Sequence, residues 1–320
     1  MEYIQTDEFH IEAPAVVTIG KFDGRHRGHQ KILKAMEEWK AKKGFAVAVF
    51  TFSRVPSAVV AKTVPTVITT NEERRYMMEQ AGVDYLVEYP FNEATAHMDP
   101  EEFVKTVLVG QMNAHAIVVG TDCGFGYKRA GNAQLLKELA PRLGFALTIL
   151  EKAKEDNRDI SSTYVREELD KGHMEKANEL LGRPYSIHGK VVHGNHIGSS
   201  ILGFPTANIL PPPEKHLPKF GVYLSRVIAG KNRYWGITNI GKKPTVSGDY
   251  PAGAETFLMD FDGDLYGQVI EVQLLRFMRP EQKFEGLKEL REQIEEDKKT
   301  AARILKEKSF PAGTEEDTRL

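Results

Sequence analysis

The sequence predicts an α/β domain built on a parallel sheet, followed by a small antiparallel β-barrel that ends in a helix. Three observations carry this expectation. In the first half, continuously apolar runs alternate with amphipathic stretches, as strands buried on both faces alternate with crossover helices. In the second half, short β-rich runs follow one another closely, with Gly, Pro and Asn turns between them. The chain has 320 residues, which suits roughly two domains.

The elements follow in order. Residues 15–20 form a short apolar run ending at Gly20. From 29 to 42, Ile32, Leu33, Met36 and Trp39 recur at helical spacing among charges. Residues 45–52 form a second buried strand. Asn71 caps a helix running to Gln80, stopped by Ala81-Gly82. Residues 85–87 form a third strand. Asp99 caps another helix with Pro100 at its first position. A fourth strand at 116–120, a helix at 132–143 and a fifth strand at 145–150 complete this half. Parallel sheets bind ligands beyond the carboxyl ends of their strands, so chemistry is expected in the loops after Gly20, Phe52 and Gly120.

The composition changes near Leu181-Gly182-Arg183-Pro184-Tyr185. Short β runs follow at 188–193, 207–210, 222–228, 234–237, 255–261 and 269–277. A charged helix covers 284–306, with Leu287, Leu290, Ile294 and Ile304 on one side and a solvated face on the other. The expected division is 1–182, 183–307 and a flexible tail, 308–320.

Composition narrows the function. Lys and Arg number 43 against 45 Asp and Glu, for a net charge of −2, which argues against bulk nucleic-acid binding. Hydrophobic residues at 41% and charged residues at 28% exclude a largely disordered chain. The one cysteine, Cys123, excludes a disulfide-stapled scaffold and reads as a small apolar residue. No apolar run is long enough to span a membrane, and the start does not read as a secretory signal, so a cytoplasmic location is expected. No spacing of His, Cys, Asp and Glu suggests zinc. Gly236 to Lys243 nearly spells a phosphate-binding P-loop, but Lys243 stands where Ser or Thr is needed and Pro244 follows.

The strongest motif is Gly20-Lys21-Phe22-Asp23-Gly24-Arg25-His26-Arg27-Gly28-His29, between a strand and a helix. Gly20 and Gly24 permit tight turns, and Gly28 leaves the helix start bare. His26 and His29 flank a helix N-terminus, where N–H groups and the helix dipole attract phosphate. In Ile160-Ser161-Ser162-Thr163-Tyr164-Val165-Arg166, hydroxyls at a helix start precede a fixed cation one turn inside.

These strings resemble the nucleotidylyltransferase superfamily. In their longer form they resemble the prokaryotic bifunctional riboflavin kinase/FAD synthetase family over about residues 14–306. The resemblance implies a Rossmann-like first domain and a riboflavin kinase-like barrel. ATP would lie against Gly20, Phe22, Asp23, Gly24, Gly28, Ser161, Ser162 and Thr163, with His26, His29 and Arg166 catalytic. The loop Gly120 to Gly126 is similar to the family's third loop and places Asp122 and Phe125 beside nucleotide and flavin. Leu202-Gly203-Phe204-Pro205-Thr206-Ala207-Asn208 resembles the kinase signature, which implies Mg²⁺ on Thr206 and Asn208, with ATP also at Gly189, Lys190, Gly203 and Pro205. Glu255 falls at the family's catalytic base and Tyr223 in a family turn assigned to flavin.

The implied activity is phosphorylation of riboflavin to FMN by ATP, then transfer of AMP from ATP to FMN, giving FAD. ATP and flavins are the only partners implied. The chain departs from the family pattern at Ser53-Arg54-Val55-Pro56, Cys123, Ser199, Lys243 and Phe257. A kinase-only enzyme, a flavin-binding regulator and a nucleotidylyltransferase for another acceptor are the alternatives. Retention of the base and the cations argues against the regulator, and the barrel half argues against the other acceptor.

Overall fold

In a computed structural model, residues 1–53, 66–192, 206–242 and 251–307 are described. Gly203, Pro205, Arg54, Val55, Pro56, Ser199, Lys243 and Pro244 lie outside them. The chain divides into two compact units, Met1–Ser162 and the part from Thr163.

The first unit is a six-stranded parallel sheet of β1 (Glu2–Ile4), β2 (Ala15–Ile19), β3 (Ala46–Phe52), β4 (Tyr85–Tyr89), β5 (Ala114–Gly120) and β6 (Ala146–Leu150). Their order is β1-β4-β3-β2-β5-β6. The helices are α1 (Arg27–Lys43), α2 (Asn71–Gln80), a short α3 (Glu93–Ala96), α4 (Pro100–Glu102) running on as a π-helix over Phe103–Gln111, and α5 (Ala133–Leu143). Successive strand residues point to opposite layers. Val17, Phe50, Val87 and Ile117 pack with Phe103, Leu108 and Leu136, while Val16, Val49, Leu86 and Val118 pack with Leu33, Met36 and Met78. Both faces are therefore covered, which is why these strands read as unbroken apolar runs.

The chain leaves β2 toward β3 on one side and returns to β5 on the other. The loops after β2 and β5 therefore depart from adjacent carboxyl ends, where an open sheet has its ligand crevice.

Three local features differ from the sequence expectation. The sixth strand, β1, is only three residues long and too short to show a period; it pairs with β4. Thr70, not Asn71, caps α2: its side chain accepts from Glu73 N while Glu73 accepts from Thr70 N, a reciprocal capping box. A small hairpin, β7 (Lys154–Glu155) and β8 (Arg158–Asp159), precedes the serine motif, its turn made by left-handed Asp156 and Asn157.

The second unit carries most of α6 (Ser162–Lys171), then α7 (Met174–Leu181) and a six-stranded antiparallel sheet. Its strands are β9 (Tyr185–Lys190), β10 (Thr206–Ile209), β11 (Gly221–Ala229), β12 (Asn232–Lys242), β13 (Ala252–Leu258) and β14 (Val269–Arg279), in the order β10-β13-β12-β11-β14-β9. The two edge strands meet where Val192 N donates to Asn208 O at 2.9 Å, so the sheet curls toward a barrel. Close approach there needs Gly189: a Cβ would stand 2.4 Å from Ile209 Cγ2. Asn178 ties α7 to the sheet by donating to Leu274 O and accepting from Tyr185 N. The last helix, α8 (Leu287–Glu307), lays Ala301 and Ile304 on Val222, Leu224 and Ile237. No helix among the described residues is long and apolar enough to cross a membrane.

Two candidate active sites

The first site grows from the loop after β2. Phe22 takes a left-handed φ of 50° and is buried, its ring lying over Gly20, where a Cβ would stand 2.9 Å away. Asp23 turns inward: its Oδ1 accepts from Thr69 N at 3.1 Å, and Gly24 N donates to Thr69 Oγ1 at 2.9 Å. Ser162 Oγ donates to Asp23 O at 2.8 Å. Thr69 and Ser162 thus tie the glycine loop down from two distant parts of the sequence.

His26 occupies the N-cap of α1 in extended conformation without capping it. Its ring stacks on His29 with centroids 3.8 Å apart, and His29 in turn meets Phe22. Gly28 allows this, since a Cβ there would stand 3.1 Å from the His26 ring. Nδ1 of both imidazoles is buried with no partner among the described residues. Burial pushes His26 down to about 4, against a smaller upward pull from Asp122. Burial, then the charges of His26 and Arg25, hold His29 well below its ordinary value. Both rings are therefore neutral near pH 7, with unsatisfied nitrogens at a helix start.

The other expected residues of this half are placed as follows. Asp122 is exposed in the loop after β5, paired with Lys152. Phe125 is buried in the core against Phe103, its backbone bridged to Gly131. Burial raises the Cys123 thiol to about 11, so it stays protonated. Ser161 is half-buried, Thr163 exposed, and Arg166 half-buried on α6.

The second site is a row across three strands. Asn208 pairs in register with Glu255, and Glu255 with Asn239 on its other side. Directly opposed residues share a face. Thr206, two positions before Asn208, and Phe257, two after Glu255, lie on that face too. Phe257 packs under α8, with Lys298 Nζ 5.7 Å from its ring centre. Asn208 is buried and Glu255 half-buried. Asn239 Nδ2 approaches Glu281 Oε1 at 3.4 Å, and Glu281 occupies the space a side chain at Gly241 would need.

Tyr223 is in the neighbouring row, Tyr223–Thr238–Thr256–Ala207, on the opposite face. It is fully buried, donates to Lys219 O and packs edge-on to Phe277. The hydroxyls of Ser225, Thr238 and Thr256 bond one another on this interior face. The structure therefore brings Thr206, Asn208 and Glu255 together and sets Tyr223 apart. Gly189 serves the barrel seam, and Lys190 is exposed at the end of β9.

Sequence reasoning missed Thr69, Lys152, Asn239 as the neighbour of Glu255, and Glu281. The Thr69-Thr70 pair before a helix start was the only local signal for the first, and it points to capping rather than to the glycine loop.

Comparison with known proteins agrees with both halves. Residues 8–164 match the family model for FAD synthetase, and residues 181–305 match that for riboflavin kinase. A bifunctional riboflavin kinase/FMN adenylyltransferase of Bacillus subtilis (strain 168) is 37% identical over 299 residues, covering 92% of this chain and 93% of the relative. One from Escherichia coli (strain K12) is 37% identical over 288 residues, covering 89% and 91%. A crystal structure described as a macrolide-efflux protein from Streptococcus pneumoniae superposes with a TM-score of 0.84 at 28% identity, covering 94% of this chain and 99% of that one.

Proposed function

This chain belongs to the bifunctional riboflavin kinase/FMN adenylyltransferase family, and we propose that each of its two phosphate-handling clusters performs one of the two reactions. The observation that carries this reading is that the imidazole pair and the Asn208–Glu255 pair lie in different units, each within its own family match.

In the barrel, Glu255 takes the proton of riboflavin's primary alcohol as that oxygen bonds to the γ-phosphorus of ATP; ADP leaves and FMN forms. Thr206 and Asn208 place two neutral oxygen-bearing side chains on one face beside the base. No cluster of three His, Cys, Asp or Glu suited to a metal occurs among the described residues. That donor set fits Mg²⁺, which favours oxygen, keeps several waters and shares phosphate ligands. Thr206 and Asn208 would hold the ion with the nucleotide, where it supplies charge neutralisation. Lys190 flanks the nucleotide in this reading, and Gly203 and Pro205 are carried over from the family pattern alone.

In the α/β unit, a phosphate oxygen of FMN attacks the α-phosphorus of ATP. FAD forms and pyrophosphate leaves. The nucleophile is already ionised near neutral pH, so positioning and charge stabilisation are what the protein must supply. His26 and His29 face the phosphates at the start of α1. Ser162 and Thr69 keep the glycine loop in shape. Arg166 is carried over from the family pattern as the cation for the departing pyrophosphate, and Asp122 as a nucleotide or flavin contact. Phe125 acts from within the core, as a support for its loop. We place the enzyme in the cytoplasm, a reading supported by a chain that cannot form an internal disulfide.

The test is incubation of the pure protein with riboflavin, ATP and Mg²⁺, with the flavins separated by chromatography. FMN followed by FAD is expected. Neither product overturns the reading, and FMN without FAD under oxidising and reducing conditions alike reduces it to a kinase.

A further inference from the structure

We propose that Lys152 is a positioning residue of the adenylyl-transfer site, where its ammonium holds Asp122 and cancels its charge at the mouth of the phosphate crevice. The inference rests on the reading of Asp122 and the imidazole pair as parts of that site.

Lys152 follows β6 at the carboxyl edge of the sheet. Its Nζ stands 3.2 Å from Asp122 Oδ2 and 3.2 Å from Asp159 Oδ2. The two carboxylates come from different loops. Asp122 belongs to the loop after β5. Asp159 ends β8, directly before the serine motif whose Ser162 docks on Asp23 O. Lys152 therefore joins two of the segments that build the site.

Asp122 Oδ1 lies 3.0 Å from where a Cβ at Gly120 would be, so the bare glycine leaves room for this rotamer. Lys152 then holds the carboxylate by its other oxygen, Oδ2.

Stability explains the arrangement poorly. The Asp122 side chain is 64% exposed and that of Lys152 35%, and ion pairs this wet contribute little to folding. Charge explains it better. Asp122 acts on His26, favouring its protonated form. An unneutralised carboxylate within reach of that imidazole would repel an incoming polyphosphate. With Lys152 between them, Asp122 and Asp159 present one net negative charge instead of two. Hydrogen bonds to Asp122 and then Asp159 raise the ammonium's pKa, so it stays charged throughout the neutral range.

The experiment uses the full-length protein, assaying FAD formation from FMN and ATP with Mg²⁺, and riboflavin phosphorylation in the same samples. Lys152→Met is expected to raise KM for ATP or FMN about tenfold while kcat stays within about twofold. Kinase rate and thermal midpoint stay unchanged, and Lys152→Arg recovers most of the loss. In an Asp122→Asn background, Lys152→Met adds no further loss, because the charge it serves is gone. An unchanged KM in Lys152→Met overturns the proposal, as does an undiminished loss in the Asp122→Asn background. If the parent protein makes no FAD, the reading of the site fails first and the proposal falls with it.

Discussion

Asn208 and Glu255 are direct register partners across the β10–β13 ladder, so the group expected to hold Mg²⁺ and the group expected to remove a proton share one face of the barrel wall. Asn239 extends the row on the far side of Glu255. Short-range order places neither beside the other. The antiparallel register does.

Glu255→Gln keeps the shape of this row and removes its base. Riboflavin phosphorylation is expected to fall by about 10²–10⁴. FMN-to-FAD conversion in the same preparation should be unchanged, as read by flavin chromatography. Loss of both reactions would contradict two independent sites.

His26 should titrate near 4 in the free protein. Its folded value lies below its unfolded value of 6.5, so its contribution to stability is complete above pH 6.5 and is lost as the pH falls toward 4. The loss amounts to roughly 3 kcal/mol. Adding ATP should raise the His26 value, because phosphate charge favours the imidazolium. Histidine C2-proton NMR titration with and without nucleotide measures both effects; a value near 6.5 in the free protein would refute the first.

Thr69→Val leaves Gly24 N–H and its buried surroundings without their hydroxyl. A lost buried partner costs about 1–3 kcal/mol. Here the cost should appear as a raised KM for ATP in FAD formation, with the kinase untouched. Thr69→Ser should restore the parent value.

Glu88 is fully buried between Arg74 at 2.5 Å, Arg75 at 2.9 Å and the Tyr3 hydroxyl at 2.6 Å. Burial pushes its carboxyl up, but Arg74, the Tyr3 hydrogen bond and Arg75 together bring it below the ordinary value of 4.5. Glu88→Gln leaves two arginines without a counter-charge and should destabilise the first unit by about 3–5 kcal/mol at pH 7. The contribution of these ion pairs is complete above pH 4.5 and declines as the pH falls through the lowered folded value, so the gap between parent and variant should narrow in strong acid. Chemical denaturation at neutral pH and well below the ordinary carboxylate range tests this; a wider gap in acid would contradict it.

Gly189→Ala puts a methyl group into Ile209 at the barrel seam. Overpacking of this kind costs about 1–3 kcal/mol. Ile209→Ala in the same chain should return part of the loss by making room. If Gly189→Ala instead leaves the thermal midpoint unchanged and weakens ATP binding alone, the glycine is there for the nucleotide.

How far the sequence could be read depends on the range of the interactions involved. Strands β2 to β6 were legible because each is largely apolar over five to seven residues, whereas β1 is too short to show a period, and a cap such as Asp99 acts within three residues of itself. The glycine loop and its histidines were legible because a turn and a helix start are local events. Thr69 was not, since its contacts with Asp23 and Gly24 span about 45 residues of chain. Tyr223 and Phe125 carry the right residue types in matching motifs. Which face of a strand an aromatic ring takes, and how deeply it sinks, is set by the neighbours it packs against.

By itself, the sequence determined the two-part architecture, the family and the chemical types present at each phosphate-handling motif, because these follow from periodicity and contiguous strings. Only the tertiary structure decided that the two imidazoles stack, that Asn208 faces Glu255, that Tyr223 points the other way, and that Lys152 bridges two loops. Those relations arise from strand register and close packing between distant segments, and a residue's local neighbours in the chain carry no information about them.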